Sequence, residues 1–195
     1  MLKLENRLFL ILAFLMALVV ALSNYLVQFP IKHLGLQDLL TYGAFSYPIA
    51  FLITDLSNRR YGKNNARKIV YLGFALGVFL TFYFSTNYSS LISIRIAIGS
   101  GTAFLVAQLI DVSIFDKLRN KIWFAAPLVS SFIGSIIDTF LFFSISFYGT
   151  GINWVTLSFG DLSVKIFVAL LMLIPFRLLL SRIQESSSAE KKISV

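Results

Sequence analysis

Apolar residues fall into six runs, 8–29, 39–55, 69–86, 91–111, 122–148 and 164–180, separated by short polar stretches. Most runs approach or exceed the roughly 20 residues an α-helix needs to cross a hydrocarbon core of about 30 Å. In lipid each backbone polar group must be satisfied within its own segment, which a helix achieves. The pattern therefore predicts an all-α polytopic membrane protein, a bundle of six transmembrane helices forming one domain over residues 1–183. The second and sixth runs are short. The fifth is long and should tilt or bend to fit the bilayer. Within Phe45-Ser46-Tyr47-Pro48, Pro48 removes a helix hydrogen bond and should kink the second helix, exposing backbone groups to a polar ligand. The first run has the basic start of a signal peptide but is too long and lacks a small-residue cleavage pattern, so it reads as a mature helix. The Ser- and Lys-rich stretch 184–195 reads as a disordered cytoplasmic tail.

Composition agrees with the pattern. The chain is 57% hydrophobic and only 13% charged, against about 25% charged in ordinary soluble domains, and its mean hydropathy is +0.82. The net charge of +8 first suggests nucleic acid. Placed along the chain, however, the basic residues cluster on one side. Lys3 and Arg7 precede the first run, Arg59, Arg60, Lys63, Arg67 and Lys68 follow the second, Lys117, Arg119 and Lys121 follow the fourth, and Arg177, Arg182, Lys191 and Lys192 end the chain. Only Lys32, Arg95 and Lys165 fall on the other side, so the positive-inside rule puts both termini in the cytoplasm. The basic excess then reports topology, and no nucleic-acid partner is expected. Without cysteine, and with His33 alone, the chain has no visible metal site. It also lacks a phosphate-binding loop, a nucleophile elbow and metalloprotease spacing, so neither an enzyme nor a cofactor is expected.

Charged groups inside the apolar runs are the remaining chemistry. Asp138 lies deep in the fifth run, where a carboxylate is costly unless it faces protein or water. Arg95, Asp138 and Lys165 belong to the outer half, and Asp55, Gln108 and Asp111 to the cytoplasmic ends of helices two and four. Asp138 reads either as a substrate site or as a buried partner of Arg95 or Lys165 that pins helices together. As a site, it can accept two parallel N–H bonds from a guanine-like edge while aromatic rings stack on the base. Asp55 and Asp111 are candidates for gating or coupling, or for ion pairs with Arg59, Arg60 or Lys117. Tyr42, Ser46 and Tyr47 surround the Pro48 kink and are candidate site lining, whereas Tyr88, Tyr148, Trp154 and Trp123 fall where belt residues anchor helices. The rows Gly99, Ala103, Ala107 and Ala126, Ser130, Gly134 point to close helix packing, within one chain or in a homo-oligomer.

Taken in order, Asn24-Tyr25-Leu26-Val27-Gln28, Thr41-Tyr42-Gly43-Ala44, Tyr47-Pro48 with Thr54-Asp55, Tyr61-Gly62, Ala66-Arg67, Arg95, Gln108-x-x-Asp111, Ser130-Ser131, Asp138-Thr139 and Asp161-x-x-x-Lys165 form a recognisable series. The chain resembles the queuosine precursor transporters, also called the VUT family, from position 24 to position 175. The resemblance implies a multi-pass carrier in the bacterial inner membrane that imports 7-cyano-7-deazaguanine and 7-aminomethyl-7-deazaguanine for tRNA queuosine salvage. By the same resemblance Asn24, Arg95, Gln108, Asp111, Asp138 and Lys165 are site or gate candidates. Asn58 is followed by Arg59 where many relatives carry an acid, so a pairing role for that acid has no residue here. Two other readings remain open: a substrate-binding subunit that needs a separate ATPase complex, and a membrane scaffold without transport.

Overall fold

The computed structural model describes residues 4–26, 29, 31, 40–84 and 91–193, with side chains described at these positions except 4–5, 81–84, 91–93 and 182–193. Val27, Gln28, Lys32, His33 and Tyr88 lie outside the described residues. Among the described residues six helices follow one another: α1 Leu4–Leu26, α2 Gly43–Tyr61, α3 Lys63–Phe84, α4 Leu91–Leu118, α5 Ala125–Phe147 and α6 Trp154–Ile193. Four contain stretches long and apolar enough to cross a membrane, Asn6–Leu26, Ile94–Leu118, Ala125–Phe147 and Trp154–Ser181.

Helix α2 falls short of that apolar standard for a structural reason. It packs against all five other helices, and most of its residues, including Ser46, Thr54, Asp55, Ser57 and Asn58, are buried. A helix enclosed by protein can carry polar side chains that its neighbours satisfy, so its sequence need not be uniformly apolar. Outer surfaces show the complementary pattern: Phe167, Leu170, Leu171, Ile174 and Leu178 of α6, and Leu10, Phe14, Leu18 and Leu22 of α1, are exposed. Such stripes are what a lipid-facing surface requires.

Glycine sets the closest helix approaches. A Cβ added at Gly77 of α3 would lie 2.7 Å from the Val20 side chain of α1, and one at Gly134 of α5 would lie 2.6 Å from the Phe51 ring of α2. Gly99, Ala103 and Ala107 are buried along α4; Gly99 lies against Ser146 and the Phe142 backbone of α5, so this row packs helices within the chain.

Several boundaries differ from the apolar runs. Helix α2 continues to Tyr61 and ends at Gly62, whose φ of 78° favours glycine. A single residue thus separates α2 from α3. Helix α4 passes Asp111 and runs to Leu118, because the Asp111 carboxyl turns into the bundle and does not end the span. The fifth run is trimmed at both ends, leaving an α5 of 23 residues, about 35 Å at 1.5 Å per residue; a bilayer accommodates that without the overshoot expected from the run. Helix α6 begins ten residues before the sixth run and carries on through 184–193, the stretch whose composition suggests a tail.

Candidate functional site

Two polar layers face the interior, and α2, α4 and α5 contribute to both. Along α5 the buried residues Ser131, Ser135, Asp138, Thr139, Phe142 and Ser146 recur every three or four positions, the spacing of one helix face. On α6 Ser158, Asp161 and Lys165 do the same. Where these faces meet, the Lys165 ammonium donates to Asp138 Oδ2 at 2.8 Å, to Thr139 Oγ1 at 3.2 Å and to Asp161 Oδ2, 2.6 Å away. Thr139 donates in turn to Asp161 Oδ2 at 2.9 Å. The ammonium thus has all three donors engaged. It lies 5.1 Å from the centroid of the Tyr47 ring, a cation–π distance.

The cluster carries one cation against two carboxylates, and Asp138 Oδ1, in a residue only 2% exposed, has no hydrogen-bond partner. A cavity of about 10 Å³ lies beside it, lined by Asp138, Asp161, Lys165, Tyr47, Phe142 and Ser100 together with Gly43 and Ala44. Such a space holds at most about one water. Pro48 lacks an N–H, so the Ala44 carbonyl four residues earlier has no helical donor from it, at the point where α2 borders the cavity. A relay leads away towards α1: the Tyr47 and Ser100 hydroxyls are 3.0 Å apart, and Ser100 donates to Asn24 Oδ1. Ser46 lies one step aside, bonded to Ser23 at 2.8 Å and to the Gly43 carbonyl.

Of the residues singled out from sequence, Asp138, Lys165 and Tyr47 come together at this cavity, with Asn24 connected through Ser100. Ser46 fastens α1 to α2, and Tyr42, 42% exposed before the first turn of α2, is not among the lining residues. Arg95 is not the partner of Asp138. Its guanidinium donates to the Ile145 and Tyr148 carbonyls, at 3.0 and 2.7 Å, closing the end of α5, where helix carbonyls lack partners. Asp161, Thr139 and Ser100 join the site without having been named as candidates from sequence, where Asp161 and Thr139 stand only within the motif series. Asp161 stands four residues before Lys165, a helical pairing distance, but it precedes the apolar run and its helical setting was hidden.

The second layer joins α2, α4 and α5. Ser130 and Ser131 donate to the two oxygens of Asp55 at 3.2 and 3.3 Å, and Thr54 donates to Gln108 Oε1. Asn58 donates to the Val112 carbonyl at 2.8 Å. Both Asp111 oxygens lack a donor. Among the described residues Asp55 and Asp111 do not form the ion pairs with Arg59, Arg60 or Lys117 that were one of the two alternatives from sequence; serine hydroxyls serve Asp55 instead. Arg59 donates to the Arg119 carbonyl just past α4, and Arg119 to the Asn58 and Arg59 carbonyls in the last turn of α2, so the two cations tie these helix ends together. Between the layers the Phe51 ring rests on Gly134. Among the described residues no group of His, Cys, Asp and Glu is arranged to hold a metal ion.

Comparison with known proteins gives consistent results. The sequence model of the family described as "Putative vitamin uptake transporter" matches residues 41–180. A "Probable queuosine precursor transporter" of Haemophilus influenzae is 33% identical, with 88% of this chain and 85% of the relative covered. The "Queuosine precursor transporter" of Escherichia coli K12 is 30% identical, with 87% of each covered. A Bacillus subtilis relative of similar name is 29% identical over 56% of the chain. No solved structure gives a significant match. The family match spans α2 to α6 and so contains both polar layers, and on that ground the chain belongs to the vitamin uptake transporter family, a family of membrane transporters and not of enzymes.

Proposed function

We propose that the protein imports queuosine precursors, 7-cyano-7-deazaguanine and 7-aminomethyl-7-deazaguanine, across the bacterial inner membrane, with six spans and both termini cytoplasmic. The observation that carries this reading is the partnerless Asp138 Oδ1 beside the cavity. A deazaguanine presents a ring N–H next to an exocyclic amine, and a carboxylate accepts both in parallel. Lys165 occupies Oδ2, so binding would require the ammonium to swing towards Asp161, which already holds it at 2.6 Å. Tyr47 and Phe142 supply ring faces for stacking, and the relay through Ser100 to Asn24 supplies further polar contacts. The cavity is far smaller than a purine-sized base, so substrate entry requires α2 to move away from α5 and α6. This conformation is then a closed state of the carrier.

The test is thermal stabilisation of the purified protein by either deazaguanine, set against Asp138→Asn. A ligand that binds the folded state must raise its stability. A shift in the wild type that the variant loses supports the site. Equal shifts in both remove Asp138 from it, and no shift in folded wild type removes these bases as ligands.

A further inference from the structure

We propose that Asp55 and Asp111 share a single proton, forming a site separate from the Asp138 cavity, and that exchange of this proton drives the opening of α2 from α4 and α5. Asp55 and Asp111 belong to facing stretches of α2 and α4, joined on one side by Thr54 donating to Gln108 and on the other by Asn58 donating to the Val112 carbonyl at 2.8 Å. Two ionised carboxylates have no hydrogen to place between them, and neighbouring like charges in one layer away from water disfavour double ionisation. Both residues are buried.

The surroundings offer an excess of acceptors. Asp111 Oδ1 and Oδ2 have no donor. Asn58, one turn beyond Asp55 and fully buried, spends its amide N–H on the carbonyl of Val112, the residue after Asp111. Its Oδ1, buried in the same layer, also lacks a donor. Ser130 and Ser131 each bring one hydroxyl hydrogen; that of Ser131 goes to Asp55, and that of Ser130 to Asp55 at 3.2 Å with the Pro127 carbonyl a more distant acceptor at 3.5 Å. What this arrangement lacks is a positive partner for Asp111, and a proton is the smallest that completes it.

Among the described residues no side-chain cation takes that place. On α2, Arg59 donates to the Arg119 carbonyl and Arg60 lies near the Tyr61 ring. On α3, Arg67 donates to Ser113. On α4, Lys117 is exposed and Arg119 pairs with Asp116. On α6, Arg177 lies over Trp123, while Lys165 is held by Asp138 and Asp161 in the other layer. Arg7 of α1 is exposed. Among the described residues none of these forms an ion pair with Asp55 or Asp111.

With one proton present, α2, α4 and α5 are tied through the carboxyl pair and the two serines. Loss of the proton leaves two facing negative charges and favours their separation. Phe51, one turn from Asp55 and seated on Gly134, would leave with α2 and part the packing between the layers. The coupling to opening rests on the transport reading, whereas the shared proton does not.

Infrared spectroscopy of the purified full-length protein tests the proton without any substrate. The expected result is a protonated-carboxyl band at neutral pH that titrates away in alkali, is lost in Asp55→Asn and in Asp111→Asn, and survives in Asp138→Asn. Each of the first two variants is a sufficient test alone. Ser130→Ala, which leaves the charge unchanged, should move the titration to higher pH because it removes a donor to the ionised form. No band in folded wild type, or a band lost only in Asp138→Asn, overturns the proposal. Loss of the band when sodium chloride replaces choline chloride also overturns it, by assigning the site to sodium. In proteoliposomes, base import that alkalinises the outside in wild type but not in Asp111→Asn supports the coupling. Import without proton movement overturns the coupling and leaves the infrared result standing.

Discussion

Lys165 is the residue on which the interior charge balance depends. Among the described residues its ammonium is the only cation that binds Asp138 and Asp161, and all three groups are buried. Removing one partner of a buried ion pair leaves the other charge uncompensated, at a cost of about 3–5 kcal/mol. Lys165→Met should therefore destabilise the protein by that order, whereas Asp161→Asn, which retains a one-to-one pair, should cost less; chemical denaturation of both variants in detergent checks the order. For Asp138→Asn the loss should appear in ligand affinity, by about 1–3 kcal/mol if a deazaguanine donates to that carboxylate, as measured by calorimetric titration. Asp138 was legible in sequence because an acid among apolar residues is conspicuous. Its partner was not, since Arg95 and Lys165 were equally available until the Ile145 and Tyr148 carbonyls proved to hold Arg95.

The helices themselves were legible, their ends less so. Apolar runs located all six, because lipid exposure imposes a hydrophobic signal on every outer face. That signal fades where a helix is enclosed: α2 keeps its helical form through Asp55, Ser57 and Asn58, and α6 through Asp161, on the strength of interior partners that the linear pattern does not display. Close packing was likewise visible as rows of small residues, but not the ring each one receives. At Gly134 that ring is Phe51. Gly134→Ala should force it aside and destabilise the α2–α5 contact by about 1–3 kcal/mol, partly offset by the better helix propensity of alanine. Adding Phe51→Leu should recover part of the loss, a non-additivity that a double-mutant cycle in thermal unfolding measures.

As a whole, the bundle places α2 at the centre, with one polar layer on each side of Phe51 and lipid-facing stripes on α1 and α6. The asymmetry of Lys and Arg predicts that reporters fused at either terminus of the full chain are active only in the cytoplasm; periplasmic phosphatase activity at a terminus would reverse the topology. The proposed function requires that this single chain move a deazaguanine by way of Asp138. The direct measurement is uptake of labelled 7-cyano-7-deazaguanine and 7-aminomethyl-7-deazaguanine into proteoliposomes containing only this protein, for wild type and Asp138→Asn at matched insertion. Saturable uptake by the wild type that the variant loses is the predicted result; equal uptake by both, or none by a wild type that binds the base, would contradict it.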